Sequence, residues 1–282
     1  MTVANVDDGE GQRPPPGWVE QPAPVYAPVP GSPWPGPHGP YPTPPAPEPA
    51  PPAPTHRWGL GAYIVAEIVF LGVSAAIGLT LIGGGPAQAW LLAVALGVPT
   101  VVAAAVGVLI TVVRGNGPFV DLHLRASRRE VGIGLAFGFG GLFLSLPATA
   151  FYVQVVGEDA SSAVGDIFGG VVATPPVALL IAALVVLIVP LCEEILYRGL
   201  LWGGITRLGG NVWVAFAVTT VIFALAHFEW PRAILLLVVA LPIGLARIYG
   251  GGLLAPIVAH QVNNLLPGVV LYLQLTGSLP AL

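Results

Sequence analysis

Charged side chains are scarce in this chain of 282 residues, because Asp, Glu, Lys and Arg make up only 9% of it. An ordinary soluble domain carries about 25% charged residues, and 55% of this sequence is hydrophobic, which excludes a purely soluble globular protein. Lysine does not occur, and ten arginines against fourteen acidic residues give a net charge of −4. Without a basic face, no nucleic acid is expected as a partner. The one cysteine, Cys192, excludes an internal disulfide and a cysteine-based metal motif.

Proline is concentrated near the N-terminus, where residues 1–57 hold nineteen of the thirty-one prolines. A segment of this composition cannot bury a hydrophobic core. We therefore predict a disordered, proline-rich tail over residues 1–57 and a transmembrane domain over residues 58–282. The tail is interpreted as a solvated spacer. In the alternative interpretation it is a docking site for a proline-binding partner, whose identity is unknown.

Seven apolar stretches follow the tail, at 59–82, 87–113, 131–156, 175–201, 212–228, 233–249 and 252–274. A bilayer core about 30 Å thick needs about 20 apolar residues per helix, and most of these stretches reach that length. We therefore predict an all-α, polytopic transmembrane helix bundle of about seven or eight membrane helices, located in the cell membrane. Arginines lie before the first stretch and between the second and third. By the positive-inside rule, these loops and the N-terminal tail are predicted to be cytoplasmic.

Two adjacent carboxylates stand inside the fourth stretch, at Glu193 and Glu194, and Arg198 follows four residues after the second. Ionisable residues inside a membrane are costly and are functional candidates by default. Residues four apart share a helix face, so Glu194 and Arg198 are predicted to pair. That pairing leaves Glu193 facing a cavity, where a desolvated carboxylate suits a general base. The alternative is a structural ion pair with a spare acid near the interface.

Two further polar motifs lie in later stretches. Phe223 and His227 share one helix face, as do His260 and Asn264. Each motif alone is typical of hydrogen-bonded core residues. At a rise of about 1.5 Å per residue from the expected interface, Glu193 and His260 lie about 14 and 15 Å deep, and His227 and Asn264 about 21 Å deep. We therefore expect the four groups to meet near the middle of the bilayer.

These three motifs in this order resemble the pattern of the CPBP family (CAAX protease and bacteriocin-processing, also called Abi). The family pattern is E-E-x-x-x-R, then F-x-x-x-H, then H-x-x-x-N, which matches residues 193–198, 223–227 and 260–264. The resemblance covers residues 190–264, and the rest of the chain is similar only in being helical and apolar. It implies an intramembrane endopeptidase related to type II CAAX prenyl proteases, acting on a membrane-associated protein or peptide.

The resemblance also implies a role for each matching residue. Glu193 would be the base that activates water, and His227 would be its partner. His260 and Asn264 would stabilise the oxyanion, as amide hydrolysis requires donors aimed at the tetrahedral oxygen. The residues implied as support are Glu194, Arg198 and Phe223.

No cofactor is favoured by the sequence, although zinc is possible. An H-E-x-x-H pair is absent from the chain, and asparagine is a poor zinc ligand. Zinc does accept nitrogen and oxygen ligands. In the zinc alternative, the ligands would be Glu193, His227 and His260.

Two other classes of function are alternatives to a protease. Intramembrane Glu and His residues also serve proton-coupled transporters, but the internal repeats of many transporters are not seen in this sequence. A non-catalytic membrane scaffold or immunity protein would keep the fold and use the tail as a docking arm. The substrate, and whether it is prenylated, stay open at this point.

Overall fold

The computed structural model describes residues 56–81, 88–125, 127–157 and 162–279. Within these ranges all regular secondary structure is helical, which confirms the predicted all-α class. The prediction of a disordered tail falls almost entirely outside the described residues. We number the main helices α1 (Leu60–Leu81), α2 (Ala89–Arg114), α3 (Arg128–Val156), α4 (Pro175–Arg207), α5 (Val212–Leu225), α6 (Ala233–Gly250), α7 (Leu254–Asn263) and α8 (Leu265–Leu275). Short helices occur at Pro118–Asp121 and Ala163–Phe168, and a 3-10 turn at Trp230–Arg232.

The described residues contain five or six candidate membrane spans, fewer than the predicted seven or eight. Among the described residues, five helices are long and apolar enough to cross a bilayer: α1, α2, α3, α4 and α6, the last extended to begin at Trp230. Helices α7 and α8 meet at a bend of 41° and count as a sixth span if they cross together. The fifth predicted stretch forms α5, whose 14 residues extend about 21 Å, well short of a 30 Å core.

Large apolar side chains cover the outside of the bundle. Phe143 in α3 is 84% exposed and Leu79 in α1 is 70% exposed, and many neighbouring side chains on these helices are similar. A soluble monomer rarely exposes apolar surface on this scale. The exposed surface therefore agrees with a multi-pass membrane protein whose outer face contacts lipid.

Helix α4 changes from α-helical to π-helical geometry twice, at Leu184–Ile188 and at Ile195–Leu201. In the first π segment, the backbone N–H of Val189 bonds to the carbonyl of Leu184. The next donor in that register would be Pro190, which has no N–H, so the carbonyl of Val185 loses its partner. The side-chain amide of Asn264 donates to this carbonyl at 3.1 Å. The proline thus creates the acceptor that ties α4 to the end of α7.

The N-terminus of α3 holds the junction between α6 and α7. Arg129 donates hydrogen bonds to the last two carbonyls of α6, at 3.0 and 3.3 Å. The buried carboxylate of Glu130 accepts hydrogen bonds from the first two backbone N–H groups of α7, at 3.2 and 3.4 Å. The cation of Arg129 thereby satisfies the C-terminus of α6, and the anion of Glu130 satisfies the N-terminus of α7. The helix dipoles favour both placements. These contacts fix where the helix that carries His260 begins.

Glycines on α3 let α7 approach closely. A Cβ atom added at Gly134 would lie 2.6 Å from the Cβ of Val258, and one added at Gly138 would lie 2.6 Å from the Cβ of Val262. Both distances are far below van der Waals contact, so only glycine fits. Small residues at such positions are typical of packed membrane helices.

Substitution of Gly138 by valine is therefore expected to lower the free energy of unfolding by about 1–3 kcal/mol, the usual cost of overpacking. Gly140→Val is the matched control, because a Cβ at Gly140 meets no atom within 4 Å. Unfolding of both variants in detergent micelles measures the difference. Equal stability of the two variants would contradict the close contact between α3 and α7.

Candidate active site

A buried ion pair lies at the centre of the site. Nη1 of Arg198 lies 2.9 Å from Oε1 of Glu194, and both side chains are 0% exposed. The pairing predicted from their spacing is thus confirmed. The same carboxylate oxygen lies 2.9 Å from Nδ1 of His260. Glu194 therefore joins α4 to α7, and it holds the orientation of the His260 ring.

Glu193 lies on a different side of α4 from its neighbour. Its side chain is 20% exposed, and its Oε2 lies 3.7 Å from Nε2 of His260. The ring of His260 thus stands between the two carboxylates, with one nitrogen facing each. Because Nδ1 donates to Glu194, the neutral ring carries its lone pair on Nε2, on the side of Glu193.

Phe223 is the aromatic centre around which the polar side chains pack. Its ring centroid lies 4.8 Å from that of His227 and 5.5 Å from that of His260. The guanidinium carbon of Arg198 lies 4.5 Å from the same centroid, a cation–π contact. Phe223 is 2% exposed, so it excludes water from the back of both imidazoles and from the ion pair. Arg198 of α4, His227 just after α5 and His260 of α7 therefore meet around this ring, whereas no contact joins His227 or Asn264 to Glu193 among the described residues.

His227 is held by its own helix. Its Nδ1 lies 2.7 Å from the backbone carbonyl of Phe223. A carbonyl only accepts, so Nδ1 carries the hydrogen and Nε2 of the neutral ring is an acceptor. His227 follows the last turn of α5 and is half-buried, so Nε2 is available to a proton from outside the helix.

Asn264 and its neighbour Asn263 point to different helices. The Asn264 amide nitrogen donates to Val185 in α4, which occupies one of its two hydrogens. Asn263 is 6% exposed and lies on the α3 side, where its Oδ1 is 3.6 Å from a Cβ built on Gly141. Asn264, which directly follows α7, therefore faces α4.

A group of side chains from α1 borders the site, and the sequence analysis did not find it. The Tyr63 ring centroid lies 5.8 Å from that of Tyr197, which lies 5.3 Å from that of Phe223. Glu67 adjoins both tyrosines and interacts electrostatically with Glu193. The four-residue spacing of Tyr63 and Glu67 was the available signal, because it places both on one face of α1.

The zinc alternative is not supported by the arrangement of side chains. Across residues 56–81, 88–125, 127–157 and 162–279, no three His, Cys, Asp or Glu side chains converge as ligands of one ion. Glu193, His227 and His260 therefore do not fit a zinc centre in this arrangement. The chemistry that these residues do offer is proton transfer and hydrogen bonding.

Comparison with known families identifies part of the chain. A family model described as type II CAAX prenyl endopeptidase Rce1-like matches residues 175–266. These residues form an Rce1-like domain. The family resemblance predicted from the three motifs is thereby confirmed. No curated protein and no solved structure matches the chain significantly.

The Rce1-like domain begins with α4 and ends just after α7. It contains all the candidate residues of α4, α5 and α7, whereas Tyr63 and Glu67 lie outside it. An Rce1-like domain implies peptidase activity on a protein or peptide substrate. Helices α1 to α3 supply the surroundings of the domain, including the aromatic wall at Tyr63 and the cap at Glu130.

Proposed function

We propose that this protein is an intramembrane endopeptidase in which Glu193 activates a water molecule to attack a peptide bond of a membrane-associated protein or peptide. The observation that carries the proposal is the 3.7 Å approach of Glu193 Oε2 to His260 Nε2 within an Rce1-like domain. The fully buried pair of Glu194 and Arg198 beside it supplies the second carboxylate with a partner. Glu193 is then the acid left free for proton transfer.

In this mechanism Glu193 removes a proton from water while the oxygen of that water attacks the carbonyl carbon. His227 assists as a second proton acceptor, because its Nδ1 hydrogen bonds to Phe223 and its Nε2 is free. The proton taken by Glu193 then passes to the leaving amine, which completes hydrolysis. The hydrolysis consumes only the peptide and one water molecule, so it needs no metal and no further reactant.

The oxyanion of the tetrahedral intermediate needs hydrogen-bond donors. We propose His260 and Asn264 for this role, with the second amide hydrogen of Asn264 still available after its bond to Val185. His260 donates through Nε2 when it is protonated, and the adjoining Glu194 carboxylate stabilises that cation. Each such donor is worth about 2.7–4 kcal/mol in comparable enzymes.

The proposed location is the cell membrane, with the N-terminal tail on the cytoplasmic side. The spans of α1, α2, α3, α4 and α6 support a multi-pass arrangement. The orientation of the tail rests on Arg57 and Arg114, which lie at one end of α1 and α2 and are linked by a backbone hydrogen bond of 2.8 Å between them.

A proteomic comparison tests the proposed function. Cells producing the wild-type protein or Glu193→Gln would be compared for membrane-associated peptides and new chain ends. We expect specific cleavage products only with the wild type. Glu229→Gln is the matched control, because the carboxylate of Glu229 pairs with Arg232 and forms no ion pair with a motif residue. A phenotype that persists unchanged in Glu193→Gln, with no product difference, would instead favour the scaffold or immunity alternative.

Peptide cleavage by the purified protein is expected to persist in a strong chelator. The reason is that proton transfer through Glu193 and hydrogen bonding by His260 need no ion. The rate with and without chelator, together with the zinc content of the protein, provides the measurement. Stoichiometric zinc with activity lost on chelation would contradict this mechanism.

A further inference from the structure

A cavity lies away from the candidate active site, where α4 and α6 end. Its volume is about 330 Å³, within the range of small-molecule sites. Its polar lining comes from two loops and two helix ends: His56, Asp121, His123, Thr206 and Arg247. None of the proposed catalytic residues lines it, so this cavity needs an explanation of its own.

Arg247 is the charged centre of the cavity and is only 7% exposed. Its Nε donates to the carbonyl of Arg198 at 3.3 Å, and its Nη1 donates to the carbonyl of Gly251 at 2.6 Å. Its guanidinium carbon lies 5.2 Å from the ring of Trp202. Among the described residues, no carboxylate lies within 4 Å of Arg247, and its Nη2 has no hydrogen-bond acceptor. A buried cation of this kind is costly unless an anion joins it.

The one carboxylate in the cavity is already occupied. Oδ2 of Asp121 accepts hydrogen bonds from Nε1 of Trp58 at 2.7 Å and from the backbone of Asn116 at 3.0 Å. Its Oδ1 accepts from the Asn116 amide at 2.9 Å. Partial burial opposes ionisation, but these donors prevail and lower the pKa of Asp121. This carboxylate therefore serves the loop. Glu130 and Glu194 interact with the charge of Arg247 only at longer range, because neither forms an ion pair with it and both already have other hydrogen-bond donors.

His123 supplies a second polar group beside Arg247. Its backbone has a φ of 54°, a left-handed conformation that is uncommon outside glycine and asparagine. Partial burial and the charge of Arg247 lower the pKa of His123, so the ring is neutral near pH 7 and donates from one nitrogen. A site with one buried guanidinium and one imidazole is suited to an oxyanion.

The depth of the cavity in the membrane indicates which kind of anion can reach Arg247. Arg247 and Gly251 lie at the end of the span that finishes at Gly250, and Trp202 and Thr206 lie at the end of α4. Span ends lie at the depth of the lipid headgroups, where tryptophan is also enriched. Basic pockets between membrane helices at this level bind lipid headgroups. At this depth the phosphate of a lipid headgroup is the oxyanion that a membrane offers.

We propose that this cavity binds the phosphate of an anionic phospholipid headgroup, with Arg247 as the main ligand and His123 as a second donor. The guanidinium fork of arginine matches the oxygens of phosphate. The site is separate from the proposed protease chemistry, so either proposal can fail without the other.

Native mass spectrometry of the full-length protein in detergent micelles tests the proposal. Phosphatidylglycerol, phosphatidylcholine or inorganic phosphate would be added in turn. We expect retention of phosphatidylglycerol in preference to phosphatidylcholine. Arg247→Gln should weaken that retention by about tenfold or more, since a hydrogen bond to a charged group is lost. Arg114→Gln is the matched control, because Arg114 is exposed and does not line this cavity.

A second variant is needed because Arg247 also donates hydrogen bonds to two backbone carbonyls, so Arg247→Gln could misfold. His123→Asn keeps a residue that tolerates the left-handed backbone and removes only the imidazole, so it should weaken lipid retention while the protein stays folded. Equal lipid binding by wild type, Arg247→Gln and His123→Asn would overturn the proposal, as would an equal loss in Arg114→Gln. Retention of inorganic phosphate with no preference for the lipid would show that the source is a soluble anion.

Discussion

Glu193→Gln is expected to reduce the turnover number for peptide cleavage by about 100- to 10,000-fold, the usual contribution of a general base. Glutamine keeps the shape of the side chain but cannot take a proton from water. The Michaelis constant and the free energy of unfolding should change little, because the Glu193 side chain makes no hydrogen bond to the described residues and comes no closer than 3.7 Å to His260. Cleavage of a substrate found in the proteomic comparison, by protein reconstituted in vesicles, provides the measurement.

Two results would separate catalysis from structure in this experiment. Glu229→Gln removes a carboxylate that pairs with Arg232 and not with a motif residue, so it should keep full activity. Glu194→Gln should lose activity and stability together, because Glu194 is fully buried and holds both Arg198 and His260. Undiminished turnover by folded Glu193→Gln would contradict the role of Glu193 as the base.

The local part of the site could be predicted from the sequence because it follows helix spacing. Glu194 and Arg198 are four residues apart and pair, and Phe223 and His227 are four apart and contact each other. The bond between His260 and Glu194 joins residues 66 positions apart. Such a contact depends on how α7 packs on α4, which periodicity within one helix does not determine. The motif resemblance predicted that α7 contributes to the site, whereas only the fold shows which residue forms the hydrogen bond with His260.

The count of spans was wrong for a related reason. Apolar composition continues through 212–228, but the helix there ends at Leu225, and Phe228 adopts a positive φ of 55°. Hydropathy cannot distinguish a spanning helix from one that stops partway and turns. The bend after Asn263 was equally hidden, because α7 and α8 together are apolar enough to read as one span. Both irregularities lie beside His227 and Asn264, where the proposed chemistry needs side chains to leave the regular helix.

The hydrogen bonding near Pro190 is a further feature that could not be predicted from the sequence. A proline inside a helix predicts a disturbed backbone, but the sequence does not say which carbonyl is freed. The π-helical register makes it the carbonyl of Val185, and the bond from Asn264 follows from that register. π segments are frequent at functional sites, and both π segments of α4 flank the carboxylates.

Arg198→Met is expected to lower the free energy of unfolding by about 3–5 kcal/mol, the largest stability change that we predict. Methionine keeps much of the volume but removes the charge that balances Glu194 inside the protein. The lost cation–π contact with Phe223, at 4.5 Å, adds to the cost. His260 keeps its contact with the same carboxylate oxygen at 2.9 Å. Unfolding in detergent micelles, followed by tryptophan fluorescence, measures the change.

The double variant Glu194→Gln/Arg198→Met distinguishes charge from packing. Removing both charges leaves no unpaired ion, so most of the stability lost in Arg198→Met should return. Cleavage should stay low, because the carboxylate that orients His260 is then absent. If the double variant is as unstable as the single one, the stabilising contribution of Arg198 comes from its packing against Phe223. Recovery of stability without recovery of cleavage would assign Glu194 and Arg198 to positioning His260 beside Glu193, since a purely structural pair would restore both together.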